Sequence, residues 1–397
     1  MMGTVRTTAP TGQALLRSAE AMVEELRERG REAEELRRLH EQTIAGFASA
    51  GFLSAMRPAG AGGSAIGLAT FIDIVRTLSR GDASAGWIAA FLISHEWLLT
   101  RLPAEAQADV FGAGPYGLAA AVAAPPGAAE LVDGGYRVTG RWRFASGIMH
   151  ANWALLSANT PQGPITMVVP KDELVVHDTW HVPGMKATGS NDVAAKDLFV
   201  PAHRAVPFTE YAGANPPGAQ LHPSYALLRY PMHRVLSLIH SAVALGVAEA
   251  ALDLFRASVG QRIRPQTGGR MIEEAGMHSA YGEAHHLVRT ARLLLDDAVA
   301  ITDESYGPCS PGEPGLGRRA DLNLSVTGSG YQALAAVDVI CRASGASIHR
   351  TGNPLERICR DTQVMRNHGV LDWRYFVQTA GSVLLGQGLG GHADAMF

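Results

Sequence analysis

Within GRWRFASGIMHANW, from Gly140 to Trp153, Ser146 and Gly147 interrupt a stretch that otherwise alternates as a half-buried strand, with Trp142 and Phe144 on one face and Arg141 and Arg143 on the other. A hydroxyl at such a step either satisfies its own backbone in a turn or offers a hydrogen bond to a bound group. Histidine is the side chain best suited to move a proton near neutral pH, and two of the fifteen stand in informative places. His368 follows Arg357 by eleven residues and Asp361 by seven, a spacing that predicts one face of a helix begun by Pro354 and ended by Gly369. There the imidazole either meets the C-terminal end of the helix dipole or shares a site with Arg357 and Asp361. His95 follows Phe91 by four residues and Trp87 by eight, so its ring projects from an aromatic helix face, either as a base beside a bound molecule or as a satisfied core histidine. Arg262, Arg264 and Arg270 in SVGQRIRPQTGGR either neutralise a phosphate or lie on a solvated loop. Thr188, Ser190 and Asn191 in KATGSNDV line a bound group or cap a hairpin.

These residues need three kinds of support. From about Gly12 to Phe111 the apolar residues keep helical spacing, as in Leu15, Ala19, Met22 and Leu26, with charged runs on the solvent side. From about Tyr116 to Phe208 short apolar runs are broken by Pro-Pro-Gly, Asp-Gly-Gly and Pro-Gly, which predicts a compact sheet or barrel. A Pro/Gly-rich linker, AGANPPGAQLHPS, leads to long helical periodicity from Pro231 onward. The fold class is therefore α+β, with a helical unit over 1–113, a β-unit over 114–210 and a helical bundle over 211–397.

Composition excludes several functions. With 397 residues, 47% hydrophobic and 18% charged, the chain can bury a large core, and a net charge of -3 without basic runs argues against nucleic acid or an anionic membrane as partner. Cys309, Cys341 and Cys359 are odd in number and lack CxxC spacing, so neither a disulfide framework nor a structural zinc is expected, and a reducing cytoplasm is. No apolar leader opens the chain, and the apolar run around Val235 to Leu252, interrupted by His240, reads as a buried helix. GAGPYG, Gly112 to Gly117, satisfies a dinucleotide-binding pattern but follows a helix and contains Pro115, so it reads as a loop; GQGLGG comes too late to open a nucleotide site. His285-His286 lacks partners at metal spacing.

Three strings, GRWRFASGIMHANW, GMKATGSNDVAAKDLFVP (Gly184 to Pro201) and NPLERICRDTQ (Asn353 to Gln363), in this order and spacing, resemble the acyl-CoA dehydrogenase fold over roughly Leu16 to Leu389. The resemblance implies an N-terminal helical domain, a middle β-domain and a C-terminal four-helix bundle with flavin between them. Dehydrogenases of this fold carry a catalytic Glu soon after the Arg-Asp pair. Counted from Arg360-Asp361, that place falls at about Gly369, beside His368, where no carboxylate stands. RFASG with a downstream histidine instead resembles the two-component flavin-dependent monooxygenases, among them the hydroxylases of 4-hydroxyphenylacetate and of phenolic steroid intermediates.

That family resemblance implies an oxygenase component that uses reduced FMN, or FAD, and O2 through a C4a-hydroperoxide to hydroxylate a phenolic or polycyclic aromatic substrate. It implies Ser146 as hydrogen-bond donor beside flavin N5, and His368 near the flavin, assisting as oxygen gains electrons by supplying positive charge or a proton. His95 takes the substrate phenol, with Trp87 and Phe91 around it. Trp142 and Phe144 are implied as wall of the flavin site or as sheet core, Gly147, Arg357 and Asp361 at the flavin, and Arg262 or Arg264 at the flavin phosphate of a neighbouring subunit. A separate NAD(P)H:flavin reductase, a homotetramer and a cytoplasmic location are implied as well, with no metal. N- or S-oxygenation, an acyl-CoA dehydrogenase and a silent binding relative stay open as alternatives.

Overall fold

The computed structural model describes residues 9–264, 268–310 and 312–389; the opening residues, three residues of the arginine stretch and the end of GQGLGG lie outside these. Five helices come first: α1 (Gly12–Leu36), α2 (Glu41–Ser49), α3 (Leu68–Ser79), α4 (Ala83–Leu99) and α5 (Ala104–Gly112). Helix α4 is apolar all round and buried along nearly its whole length, as befits a helix packed on α3 and on elements of the other two units. Its first turn is fixed by Asp82, whose carboxylate accepts the Ala85 N–H at 2.9 Å.

The buried Glu96 on α4 pairs with Arg57 at 2.7 Å and accepts the Gly117 N–H. Burial pushes its carboxyl up to about 7 against the pull of Arg57. Arg57 also donates to the Pro115 carbonyl, so GAGPYG is a loop clamped onto α4 at the entry to the sheet.

Seven strands follow: β1 (Ala119–Val132), β2 (Gly135–Trp142), β3 (Trp153–Thr160), β4 (Gly163–Pro170), β5 (Val175–His177), β6 (Asp192–Pro201) and β7 (Ala205–Pro207). They form one sheet in the order β5-β6-β2-β1-β3-β4-β7, an open sheet rather than a barrel. β1 runs parallel to β3, and its ladder breaks between Val122 and Gly127, where Pro-Pro-Gly interrupts the strand.

Trp142 lies in the sheet core. Cβ atoms at Gly127 and Gly140 would come within 2.6 and 2.9 Å of its ring, so these two glycines make room for the indole, which donates to the Ser157 carbonyl at 2.8 Å. The expected shared face with Phe144 ends there: β2 stops at Trp142, and Phe144 turns over at φ 62° with 63% of its surface exposed.

The linker is packed rather than free. After the short α6 (Phe208–Ala212), the fully buried Arg101 donates to the carbonyls of Tyr211, Gly213, Leu228 and Tyr230, tying the segment to the end of α4. The bundle comprises α7 (Met232–Gln261), α8 (Ala275–Tyr306), α9 (Leu316–Ala343), α10 (Pro354–Met365) and α11 (Trp373–Leu384). By length and hydropathy α7 passes for a membrane-spanning helix, yet 83% of that window is buried inside the fold. Two expectations are corrected here. Cys341 and Cys359 are joined as a disulfide between α9 and α10, and α10 ends at Met365, short of His368.

Candidate active site

Two cavities meet between α4, β1, α7 and the segment after α10. The larger, about 670 Å³, runs between Trp87, the Trp180–Met185 segment and the end of α10. The smaller, about 350 Å³, lies between α4, β3, α7 and α9 and is mostly apolar, with Phe91, Leu155, Leu236 and Val326 in its wall. Ala121, Val122, Ala123, Phe144, Ser146 and His368 line both, so the seam falls where the β1 ladder breaks. No carboxylate lines either cavity among the described residues.

Ser146 sits at the seam in a chain of hydroxyls. Thr188 Oγ1 donates to the Met185 carbonyl at 2.8 Å, which can only accept. With its proton committed, Thr188 accepts from Ser190 at 2.7 Å, and Ser190 in turn accepts from Ser146 at 2.8 Å. The Trp87 indole N–H reaches Ser146 Oγ at 3.3 Å. Ser146 therefore has its proton spent on Ser190 and keeps a lone pair for the cleft, the reverse of the donor expected from the sequence. Thr188 and Ser190 line the cleft, whereas the Asn191 side-chain Oδ1 accepts the Thr179 and Trp180 N–H groups and caps their turn. Gly147 takes φ 78° and holds the turn by donating its N–H to the Thr188 carbonyl at 3.1 Å.

His95 and His368 are both neutral. His95 Nδ1 lies 2.6 Å from the Ala119 carbonyl and must donate to it, which leaves an unprotonated Nε2, while the ring stacks on Phe91 at 5.2 Å. His368 Nδ1 accepts the Val370 N–H at 3.4 Å, which puts its proton on Nε2. Burial pushes the pKa of each down to about 4, so of the two roles expected of His368, a positive charge or a proton, the neutral ring keeps the second, with its proton on Nε2. Because each binds its proton more weakly folded than unfolded, the stability from burying them neutral is full above about 6.5 and is lost as pH falls through that value toward 4. We expect kcat/KM to hold through pH 6.5 and to fall only toward pH 4; a pH profile with parallel thermal melts that places a histidine limb near 6.5 contradicts this assignment.

Arg357, Asp361 and His368 do not share one face. Arg357 pairs with Asp82 at 3.2 Å, at the start of α4, where a Cβ on Gly30 of α1 would lie 2.3 Å from the guanidinium. Asp361 accepts the Met185 N–H at 2.5 Å, and burial, then Asp82, pushes its carboxyl up to about 7. Both residues brace α10 against the cleft wall, and Gly184, whose Cβ would come within 2.2 Å of the Arg360 carbonyl, permits that approach. Trp87 lines the larger cleft, not the substrate-sized cavity with Phe91 and His95. Trp142 lines neither.

Arg262, Arg264 and Arg270 line neither cavity of their own chain. Arg262 donates to the Ser344 carbonyl at 2.8 Å, and Arg264 pairs with Glu274. The sequence reading missed three residues. Arg143, read only as lying on the strand face opposite Trp142, is exposed and lines the large cleft with no ion pair among the described residues, while Arg141 beside it pairs with Asp192 at 2.9 Å. His233 and His240 on α7 line the small cavity. Their four- and three-residue spacing around Ser237 was the signal, hidden in an apolar run.

The large cleft suits a planar, polar-edged group: Trp180, Val182 and Pro183 supply an apolar wall, Ser146 an acceptor and Arg143 a cation for phosphate. A family model, the acyl-CoA dehydrogenase C-terminal domain, matches residues 238–373. The chain is 32% identical over 377 residues to the FADH(2)-dependent resorcinol hydroxylase, oxygenase component, of Rhizobium sp. (strain MTP-10005), covering 91% of each chain. It superposes on the 3-HSA hydroxylase from Rhodococcus sp. RHA1 with a TM-score of 0.89 and 27% identity, over 97% of this chain and 99% of that one. XiaF from Streptomyces sp., solved with FADH2 and glycerol, gives a TM-score of 0.88 and 25% identity over 95% and 96%. The chain therefore belongs to the flavin-dependent monooxygenases built on the acyl-CoA dehydrogenase fold, as an oxygenase component that works with reduced flavin.

Proposed function

We propose that this oxygenase hydroxylates a phenolic or polycyclic aromatic substrate held in the small cavity while reduced FMN or FAD occupies the large one. The observation that carries this reading is the unprotonated Nε2 of His95 in a cavity with no carboxylate, joined to the cleft at Ser146 and His368. Bound reduced flavin supplies the electrons that activate O2 for insertion of one oxygen atom. His95 accepts a hydrogen bond from the substrate hydroxyl and so raises electron density on the ring. His368 holds a proton on Nε2 at the seam, and the apolar walls keep water away. The lone pair of Ser146 suits the N–H that reduced flavin has at N5 and oxidised flavin lacks. The absence of a carboxylate base counts against thioester dehydrogenation.

With no nicotinamide site legible, electrons come from a separate NAD(P)H:flavin reductase, which fits a cytoplasmic location without membrane or nucleic-acid partners. The exposed Leu293, Tyr331, Leu384 and Leu385 on the bundle, 60, 47, 56 and 80% exposed, favour a homotetramer, in which Arg262 or Arg264 faces a neighbour's flavin. We expect reduced flavin to bind more tightly than oxidised and to support hydroxylation of a phenol only with a reductase or chemical reductant. Stoichiometric NADH oxidation by the purified chain alone contradicts this, as does light scattering of a flavin-loaded monomer for the assembly.

A further inference from the structure

One wall of the small cavity carries polar groups that the chemistry above leaves unused. His233, Ser237 and His240 recur on α7 at four- and three-residue spacing, and all three line the cavity. His240 is 3% exposed, stacks on the His368 ring at 4.0 Å and meets the rings of Trp87 and Phe91 edge-on at 5.0 and 5.9 Å. The His240 ring sits within reach of the Leu236 and Ser237 carbonyls of its own helix, whereas the buried Nε2 of His233 has no hydrogen-bond partner among the described residues. Burial, with Arg234 and Arg319 adding to it, pushes the pKa of His233 down to about 3, so the ring is neutral and can both donate and accept. A buried polar nitrogen without a partner destabilises a fold, and native interiors seldom keep one without use. Here that atom belongs to His233, which lines the cavity.

Seven residues of helix separate the two histidines by about 10 Å along the axis. His240 marks the reacting end, because it stacks on His368 at the seam. His233 stands two turns away, toward the end of the cavity remote from the flavin cleft. A single aromatic ring cannot reach both, whereas two or three fused rings can.

We propose that the α7 stripe selects an extended, multi-ring phenol that carries a second oxygen function, hydroxyl or carbonyl, on a ring remote from the one hydroxylated, with His233 as its distal anchor. This rests on the phenolic reading above and narrows it to a class. Two sites hydrogen-bonding opposite ends of one rigid molecule also fix its register, so that the ring presented to the flavin is always the same one.

Equilibrium binding to the flavin-free protein tests the stripe without turnover. The probes are a naphthol and the naphthalenediol that bears its second hydroxyl on the far ring, followed by quenching of tryptophan fluorescence. Wild type should prefer the diol by about tenfold, since a site built to hydrogen-bond an oxygen rejects the analogue lacking it. His233→Leu should remove that preference and leave naphthol affinity within about twofold, while His233→Gln, which keeps a donor and an acceptor, should retain part of it; thermal melts check folding of both. A wild type that binds the two probes equally, or a His233→Leu protein that keeps the preference, overturns the distal anchor and leaves the phenolic reading standing. A wild type that binds neither probe but binds an indole or a thioether overturns the phenolic reading, and the anchor with it.

Discussion

His95→Asn is expected to lower kcat/KM for a phenolic substrate by about 10²- to 10⁴-fold while leaving flavin affinity and fold close to wild type. The choice of asparagine follows from the two jobs of the ring. Nδ1–H satisfies the Ala119 carbonyl at 2.6 Å, next to the loop clamped by Glu96 and Arg57, and an amide N–H can take over that bond. The shorter side chain cannot also present an acceptor where Nε2 stands. The loss should therefore appear in catalysis rather than in melting temperature. It should also depend on the substrate: a phenol acidified by electron-withdrawing groups needs less help in shedding its proton, so its loss should be smaller by tenfold or more. Equal losses for acidic and ordinary phenols mean that His95 only shapes the wall.

How much of this could be read from the chain depends on how local the cause is. The helix-sheet-helix order was legible because apolar periodicity changes from helical to alternating near Tyr116 and back at Pro231. Ser146 stood out because Ser-Gly breaks an alternation, and His95 because helical spacing alone puts it on the face of Phe91 and Trp87. Trp142 was left between flavin wall and sheet core for a reason no local pattern resolves: the room for its ring in the core is made by Gly127 and Gly140. His368 was assigned to the helix because the sequence offers Gly369 as a stop, whereas α10 ends at Met365 and the histidine caps the following turn. Arg357 and Asp361 were drawn to the flavin by their place in a motif. Their partners, Asp82 and the Met185 N–H, come from two other units, and only the assembled fold shows that they brace the site instead of touching it. The pairing of Cys341 with Cys359 was illegible for the same reason, since a spacing of 18 residues gives no local cue, whereas the helical spacing of His233 and His240 on α7 was a cue hidden among apolar neighbours.

The hydroxyl chain yields the second large effect, and its sign distinguishes it from simple damage. Ser146→Ala removes the lone pair offered to the cleft, which should weaken reduced flavin by about 1–3 kcal/mol, or roughly 5- to 150-fold, and raise the H2O2 released per product formed. Thr188→Val acts from two residues further along. Without the Thr188 hydroxyl, nothing anchors the chain to the Met185 carbonyl, and neither Ser190 nor Ser146 has its proton direction fixed. Ser146 is then free to donate toward the cleft, which suits the bare N5 of oxidised flavin. Oxidised flavin should bind more tightly in Thr188→Val than in wild type while reduced flavin binds more weakly, so that the ratio of the two dissociation constants narrows by about tenfold. Ser146→Ala should lose the reduced form without gaining the oxidised one. Titrations of both redox states under anaerobic conditions, with circular dichroism as the control for folding, read these outcomes directly. If the ratio stays at its wild-type value in both variants, the hydroxyl chain does not set the direction of the Ser146 proton, and preference for the reduced cofactor must come from elsewhere in the cleft.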